Sequence, residues 1–354
     1  MTKTRAVRAF RPAVLGERMR STTAFVRYGL LVCGLALGQA APSLSQTAAA
    51  SPVIAFGNFS HIVASLDRSL AFYRDGLGLE LSGPLRPFDA NQEIMRLGNI
   101  MGAQTRYTAL KVPGSAMAVE LIEYKDIDRR PVNPRFQDPG AGNLIVSVRD
   151  LDGTLAKLKK NGGRVITVGG SPVDIGGRFR VVFLRDPDGF PVELNQPTPP
   201  PAPTADAPGN VFGAAFELAI DDTDKTVAFY RDLLGLQPTV GASFNGDKLM
   251  ADTAGTPGAQ FRQSRVQIPG SSGAISFIEF KNIDRKPLST RLQDPGMAMF
   301  QVMVRDVDSL LKALKAGGAA VVTMGGEPVN MGPLRIAVVR DPNNLFLELI
   351  QRPQ

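Results

Sequence analysis

AFYRDGLGLE at residues 71–80 returns as AFYRDLLGLQ at residues 228–237, and this recurrence decides how the chain is organised. Working outward, GAQTR at 102–106 recurs as GAQFR at 258–262, and EYKDIDRRP at 123–131 as EFKNIDRKP at 279–287. QDPG at 137–140 recurs as QDPG at 293–296, and the offset drifts only from 157 at the first pair to 155 where RDPDG at 185–189 recurs as RDPNN at 340–344. Self-similarity at a fixed period marks homologous structural units. Two units follow, residues 56–196 and 212–352, joined by a Pro-rich spacer at 197–211 that should hold them apart semi-rigidly.

Each unit is itself double. From Asn58 the chain reads as an apolar strand (FSHIVAS), then a helix from about Asp67. Leu66, Leu70, Tyr73 and Leu77 fall on one face of that helix, and Gly76 and Gly78 end it. Strands follow near Glu80, at 106–112 and at 117–124. After the first QDPG the order repeats: strand NLIVSV, a helix with Leu151, Leu155 and Leu158 aligned, then strands RVITV, RFRVVFL and FPVELNQ. The class is α+β, with βαβββ modules in pairs.

Composition removes several chemistries. The 354 residues hold one histidine, one cysteine and no tryptophan, so an intrachain disulfide, a three-histidine zinc site and a two-histidine iron centre are all impossible. The formal charge of +7 would suggest an anionic partner. Its location argues otherwise. Residues 1–27 carry seven basic residues and one acid, followed by the apolar run YGLLVCGLAL at 28–37, too short to span a bilayer and suited to a secretory signal. Residues 1–50 are therefore expected to be a signal peptide and leader, starting at Met1 or Met19, with a retained membrane anchor as the alternative. Cleavage would remove Cys33 and leave 33 basic against 32 acidic residues. The expectation is a secreted or periplasmic protein with no nucleic-acid partner and no stable membrane span.

A βαβββ pair with AFYRDxLGL closing the first helix, a strand carrying VEL, and RDPDGxxxEL at the end resembles the vicinal oxygen chelate superfamily, which includes glyoxalase I, bleomycin-resistance proteins, fosfomycin-resistance enzymes and extradiol dioxygenases. The resemblance covers both units. It implies two tandem domains, each a pair of modules whose sheets form an open cup with helices outside. It also implies four metal ligands, one from the first and one from the fourth strand of each module. In domain 1 those positions are Asn58, Glu120, Asn143 and Glu193; in domain 2 they are Ala215, Ser276, Met299 and Glu348, which leaves one donor. The domain 1 set is all oxygen and would suit Mg²⁺, Mn²⁺ or Ca²⁺. The other reading is that loss of histidine marks loss of the metal, the glutamates remaining as polar pocket groups.

His61 lies three residues beyond Asn58 and should face the helices. Arg106 and Arg135, with their counterparts Arg262 and Arg291, either bind an anionic ligand at the cup mouth or, for Arg135 and Arg291, pair with Asp138 and Asp294 to pin the module junction. Asp186 and Asp188 in RDPDG are expected to serve a turn. Three functions remain open: binding of a small organic molecule in the cup of domain 1, a metal-dependent lyase or isomerase in which Glu120 or Glu193 moves a proton, or a structural or interaction protein in which domain 2 has become a scaffold. Dioxygenase and fosfomycin-transferase chemistry are disfavoured by the histidine count, and a homodimer is compatible with the module architecture.

Overall fold

The computed structural model describes residues 51–115, 117–267 and 274–353. The expected signal peptide at 1–50 lies outside them. The first module comprises β1 (Val53–Ile62), α1 (Leu66–Leu70) continuing into π-helical turns at Ala71–Gly76, β2 (Glu80–Leu81), α2 (Gln92–Gly98), β3 (Gln104–Lys111) and β4 (Ala118–Lys125). The second comprises β5 (Gly142–Val148), α3 (Leu151–Lys160), β6 (Arg164–Val165), β7 (Val173–Ile175), β8 (Phe179–Arg185) and β9 (Pro191–Pro197). The third holds β10 (Val211–Ile220), α4 (Thr223–Ala228), β11 (Gln237–Val240), α5 (Lys248–Thr253), β12 (Gln260–Gln267) and β13 (Ala274–Lys281). The fourth holds β14 (Ala298–Val304), α6 (Val307–Ala316), β15 (Val329–Met331), β16 (Leu334–Arg340) and β17 (Phe346–Gln351).

Local chemistry sets the helix starts. Ser65, Asn91, Asp150, Asp222, Asp247 and Asp306 each accept a backbone N–H from the first turn of the helix that follows, a cap worth about 1 kcal/mol. Leu66, Leu70, Tyr73 and Leu77 are all buried, as are Leu151, Leu155 and Leu158 on α3.

The sheets join the modules in an order that the sequence does not reveal. One eight-stranded sheet runs β15-β16-β17-β14-β1-β4-β3-β2, and the main path of the nine-stranded sheet runs β11-β12-β13-β10-β5-β9-β8-β6, with β7 pairing β8. Module one thus shares a sheet with module four through the antiparallel β1–β14 pair, and module two with module three through β5–β10. The expectation that the spacer holds two self-contained units apart is corrected by these pairings. They bring the units together edge to edge, where central strands satisfy backbone groups that would otherwise be exposed. The helix-side faces share one core in which Phe59 lies 5.1 Å from Phe216, and Phe216 stacks 5.5 Å from Phe300. Each cup face carries its own apolar cluster. Among the described residues no helix is long and apolar enough to cross a membrane.

Candidate functional site: two acid-paired cups

The parallel pairing of first and fourth strands places Ser60 beside Glu120, Glu217 beside Ser276, Ile145 beside Glu193, and Gln301 beside Glu348. Because the sheets combine modules one with four and two with three, the set Asn58, Glu120, Asn143 and Glu193 does not form one site. Asn58 and Glu120 belong to the first cup, in the eight-stranded sheet, and Asn143 and Glu193 to the second. The four domain 2 positions divide the same way: Met299 and Glu348 enter the first cup, Ala215 and Ser276 the second.

Asn58 is also displaced from its expected role. The β1–β14 register is irregular between Phe56 and Phe59, and a Cβ on Gly57 would lie 2.6 Å from the Gln301 Cβ. At this bulge the Asn58 N–H donates to Gln301 Oε1 (3.0 Å), and the position paired with Glu120 is Ser60. Sequence counting missed Ser60, Glu217 and Gln301. The available signal was a polar residue two places on in three of the four first strands, within FSH, FEL and FQV.

The first cup holds a closed hydrogen-bond set. Ser60 Oγ donates to Glu120 Oε2 (2.7 Å), and Gln301 Nε2 donates to the same oxygen (3.2 Å). Burial pushes the Glu120 carboxyl above its ordinary range, partly offset by the Ser60 hydroxyl. Burial and then the nearby Glu120 push Glu348 up to about 8, with Gln301 acting in the opposite direction. Leu97, Ile100, Ile122, Tyr124, Val338 and Phe346 belong to the apolar cluster of this cup.

The second cup pairs Glu193 with Glu217. Burial, then repulsion from Glu217, raises Glu193 to about 8; burial raises Glu217 to about 7. Gln263 Nε2 donates to Glu217 Oε1 at 3.3 Å. Asn143 is fully buried beside Glu217 in register. Its amide lowers both carboxyls somewhat, yet its Oδ1 and Nδ2 have no hydrogen bond of ordinary geometry, and neither has Asn195 Oδ1. Such groups cost about 1–3 kcal/mol when left unpaired. Asn195, with Glu193 and Glu217, lines a cavity of about 50 Å³ walled by Phe136, Phe183, Phe261, Phe280, Ile278 and Met250, room for a few water molecules.

Arg106 and Arg135 lie outside both cups. Arg106 donates to Glu123 (2.9 Å) and to Asp67 (2.8 Å) on the helix side, where Glu123 also accepts the Leu66 N–H at the start of α1. Arg135 reaches Asp138 (2.6 Å) and Asp284 (2.7 Å), and Arg291 mirrors it with Asp294 and Asp128. These reciprocal pairs lock the inter-module loops together, so an anion at either arginine would have to displace two carboxylates.

His61, Asp186 and Asp188 converge within 4.8 Å on the helix side, a grouping that could hold a metal ion. Its atoms already have partners. Asp186 Oδ1 accepts the Asp188 and Phe190 N–H groups, and Oδ2 accepts from Tyr73 and faces His61 Nε2 at 2.8 Å. Asp188 takes Ala64 N–H, Arg68 and Ser69. Burial works against an imidazolium, but Asp186 outweighs it and the His61 pKa is raised. The RDPDG turn thus ties module two to the α1 region of module one.

The cation implied by the resemblance finds no imidazole in either cup. In the first cup Glu120 and Glu348, with the Ser60 hydroxyl, come from the first and fourth strands of two modules and offer oxygens of the kind a hard cation takes, while Gln301 turns its Nε2 toward Glu120 and its Oε1 to the Asn58 N–H.

A family model described as "Glyoxalase/Bleomycin resistance protein/Dioxygenase superfamily" matches residues 56–194 and 214–349. A probable chloroplastic lactoylglutathione lyase of Arabidopsis thaliana is 26% identical over 175 residues, 49% of this chain and 42% of that protein. A 2-epi-5-epi-valiolone epimerase of an Actinomyces species is 28% identical over 147 residues, 40% of this chain and 78% of that protein. The chain spans about half the length of the plant lyases it matches. Among solved structures, glyoxalase I from Zea mays superposes with a TM-score of 0.54 at 18% identity, covering 83% of this chain and 91% of that one. A putative dioxygenase from Bacillus subtilis gives 0.53 at 14%, covering 86% and 87%. At these identities the structural likeness concerns the fold.

Proposed function

The chain belongs to the glyoxalase/bleomycin resistance protein/dioxygenase superfamily, and from that premise we propose that it is an exported protein that binds a small organic molecule in the second cup. One observation carries this reading: Asn195, whose buried Oδ1 has no hydrogen-bond partner, lines an aromatic-walled cavity together with Glu193 and Glu217, and the unpaired amide of Asn143 stands beside Glu217 in register. A ligand with a carbonyl or hydroxyl would satisfy them, while its apolar body lies against the phenylalanines. A ligand larger than a few heavy atoms enters by displacing Met250 and Ala254, at α5 and its C-terminal end.

Ligand-observed NMR with phenylacetamide, a neutral aromatic amide, tests the site. Saturation transfer is expected from the native protein and is lost in Ala254→Phe, which fills the cavity. Equal transfer from both folded proteins would remove the second cup from the reading. Export is tested by sequencing the N-terminus of protein recovered from the cell envelope fraction; an intact leader refutes it.

A second reading, a metal-dependent lyase or isomerase, is favoured by the two carboxyls of Glu120 and Glu348 with the Ser60 hydroxyl in the first cup. A bound cation there would supply positive charge to a substrate oxygen, held by Glu120 and Glu348 in their ionised forms. Elemental analysis with calorimetric titration of Mn²⁺ and Mg²⁺ at pH 8 tests it. A stoichiometric metal lost in Glu120→Gln with Glu348→Gln supports this reading, and no uptake at millimolar metal sinks it.

A further inference from the structure

One row of cup-facing residues crosses four strands of the nine-stranded sheet. Arg265 on β12 pairs with Ser276 on β13, Ser276 with Glu217 on β10, and Glu217 with Asn143 on β5. The register is unbroken from Gln260 to Gln267, and Phe261 and Gln263 of the same strand line the cavity. Period-two alternation therefore places Arg265 on the cup face.

Arg265 makes no ion pair among the described residues, and its Nε is buried without a hydrogen-bond partner. The Ser276 hydroxyl beside it is 1% exposed and also unpaired. The second cup thus contains an uncompensated guanidinium, which remains charged at any working pH, with an orphan hydroxyl in the neighbouring position. The first cup has Ala109 and Glu120 at the corresponding pair. An unpaired guanidinium next to an unpaired hydroxyl is a receptor for a planar anion.

We propose that the ligand of the second cup carries a carboxylate, bound by Arg265 and Ser276, with its apolar body directed toward the phenylalanine-walled cavity. The proposal rests on the binding reading given above and narrows it to organic acids. Glu217 and Asn143, further along the row, lie where a carbonyl or hydroxyl of the same molecule would meet them. A protonated Glu217 donates a hydrogen bond there without repelling the anion.

The test compares two probes of nearly equal shape, phenylacetate and phenylacetamide, titrated calorimetrically at pH 6.5 into the full chain. Phenylacetate is expected to bind at least tenfold more tightly. In Arg265→Gln that preference disappears while phenylacetamide binding is retained, and Arg265→Lys, which keeps the charge on a foldable side chain, restores part of it. Ser276→Ala weakens phenylacetate by a few-fold. Equal affinities in the native protein, or a preference that survives Arg265→Gln, overturns the carboxylate assignment and leaves the cup a neutral-ligand site. Absence of binding by both probes overturns the binding reading itself and this proposal with it.

Discussion

The two cups descend from the same repeat but treat their buried polar groups in opposite ways. In the first, Ser60 and Gln301 both donate to Glu120, and Gln301 also accepts the N–H freed by the bulge at Asn58. In the second, the serine and glutamate have exchanged strands: Glu217 stands where Ser60 stood, and Ser276 where Glu120 stood. Ile145 occupies the place of Gln301 and Arg265 that of Ala109. The exchange retains a carboxyl pair but replaces the two donors to Glu120 by one long bond from Gln263 to Glu217 (3.3 Å), and the Asn143 amide, the Ser276 hydroxyl and the Arg265 Nε have no hydrogen bond of ordinary geometry. Completion of a polar network within the protein is a structural solution, whereas a network left incomplete beside a cavity is suited to a ligand.

Titration gives the largest expected effect. Glu193 and Glu348 at about 8 and Glu217 at about 7 hold protons in the fold that the unfolded chain releases near 4.5. Between these values the folded state binds more protons, so stability falls as pH rises from about 5 to 8, at up to roughly 1.4 kcal/mol per pH unit for each such group. Urea unfolding of Glu193→Gln with Glu348→Gln should show a flatter pH profile and, at pH 8, a protein more stable than the native one by up to about 8 kcal/mol, the slope taken over two groups and three pH units. An unchanged slope would mean that the cups admit enough water to ionise both carboxyls.

Parallel leucine substitutions sharpen the contrast. Gln301→Leu removes the acceptor of the Asn58 N–H and one donor to Glu120, and should destabilise by about 2 kcal/mol. Asn143→Leu removes an amide that has no ordinary hydrogen bond, and should shift stability by less than about 1 kcal/mol in either direction, while abolishing phenylacetamide binding. Equal losses in the two variants would erase the distinction between the cups. The smallest effect is expected at Arg106→Lys, whose partners Glu123 and Asp67 lie on the helix side. Affinity in the cups should remain unchanged, and stability should fall by no more than about 1 kcal/mol.

Repeats, helix faces and the βαβββ order were legible because they depend on local patterning: AFYRD, the Leu151/Leu155/Leu158 stripe and the Asp caps all act within a few residues. Glu120 and Glu193 were recognisable as charged groups inside apolar strands. Their real partners were not, because Glu348 and Glu217 lie far away in sequence and Glu217 sits two positions beyond the expected one. Counting along β1 also fails at Gly57 and Asn58, where the bulge breaks the alternation on which the count depends.

By itself, then, the sequence determined the number of modules, their class, the scarcity of imidazole ligands, and which face of each strand is apolar. Only the tertiary structure decided which modules share a sheet, and hence that Glu120 meets Glu348 and Glu193 meets Glu217. The reason is physical. Strand alternation is dictated by covalent geometry within one segment, whereas edge-to-edge pairing between homologous modules is a competition among similar edges. Its outcome depends on the shared core around Phe59, Phe216 and Phe300, and on the reciprocal Arg135 and Arg291 clamps.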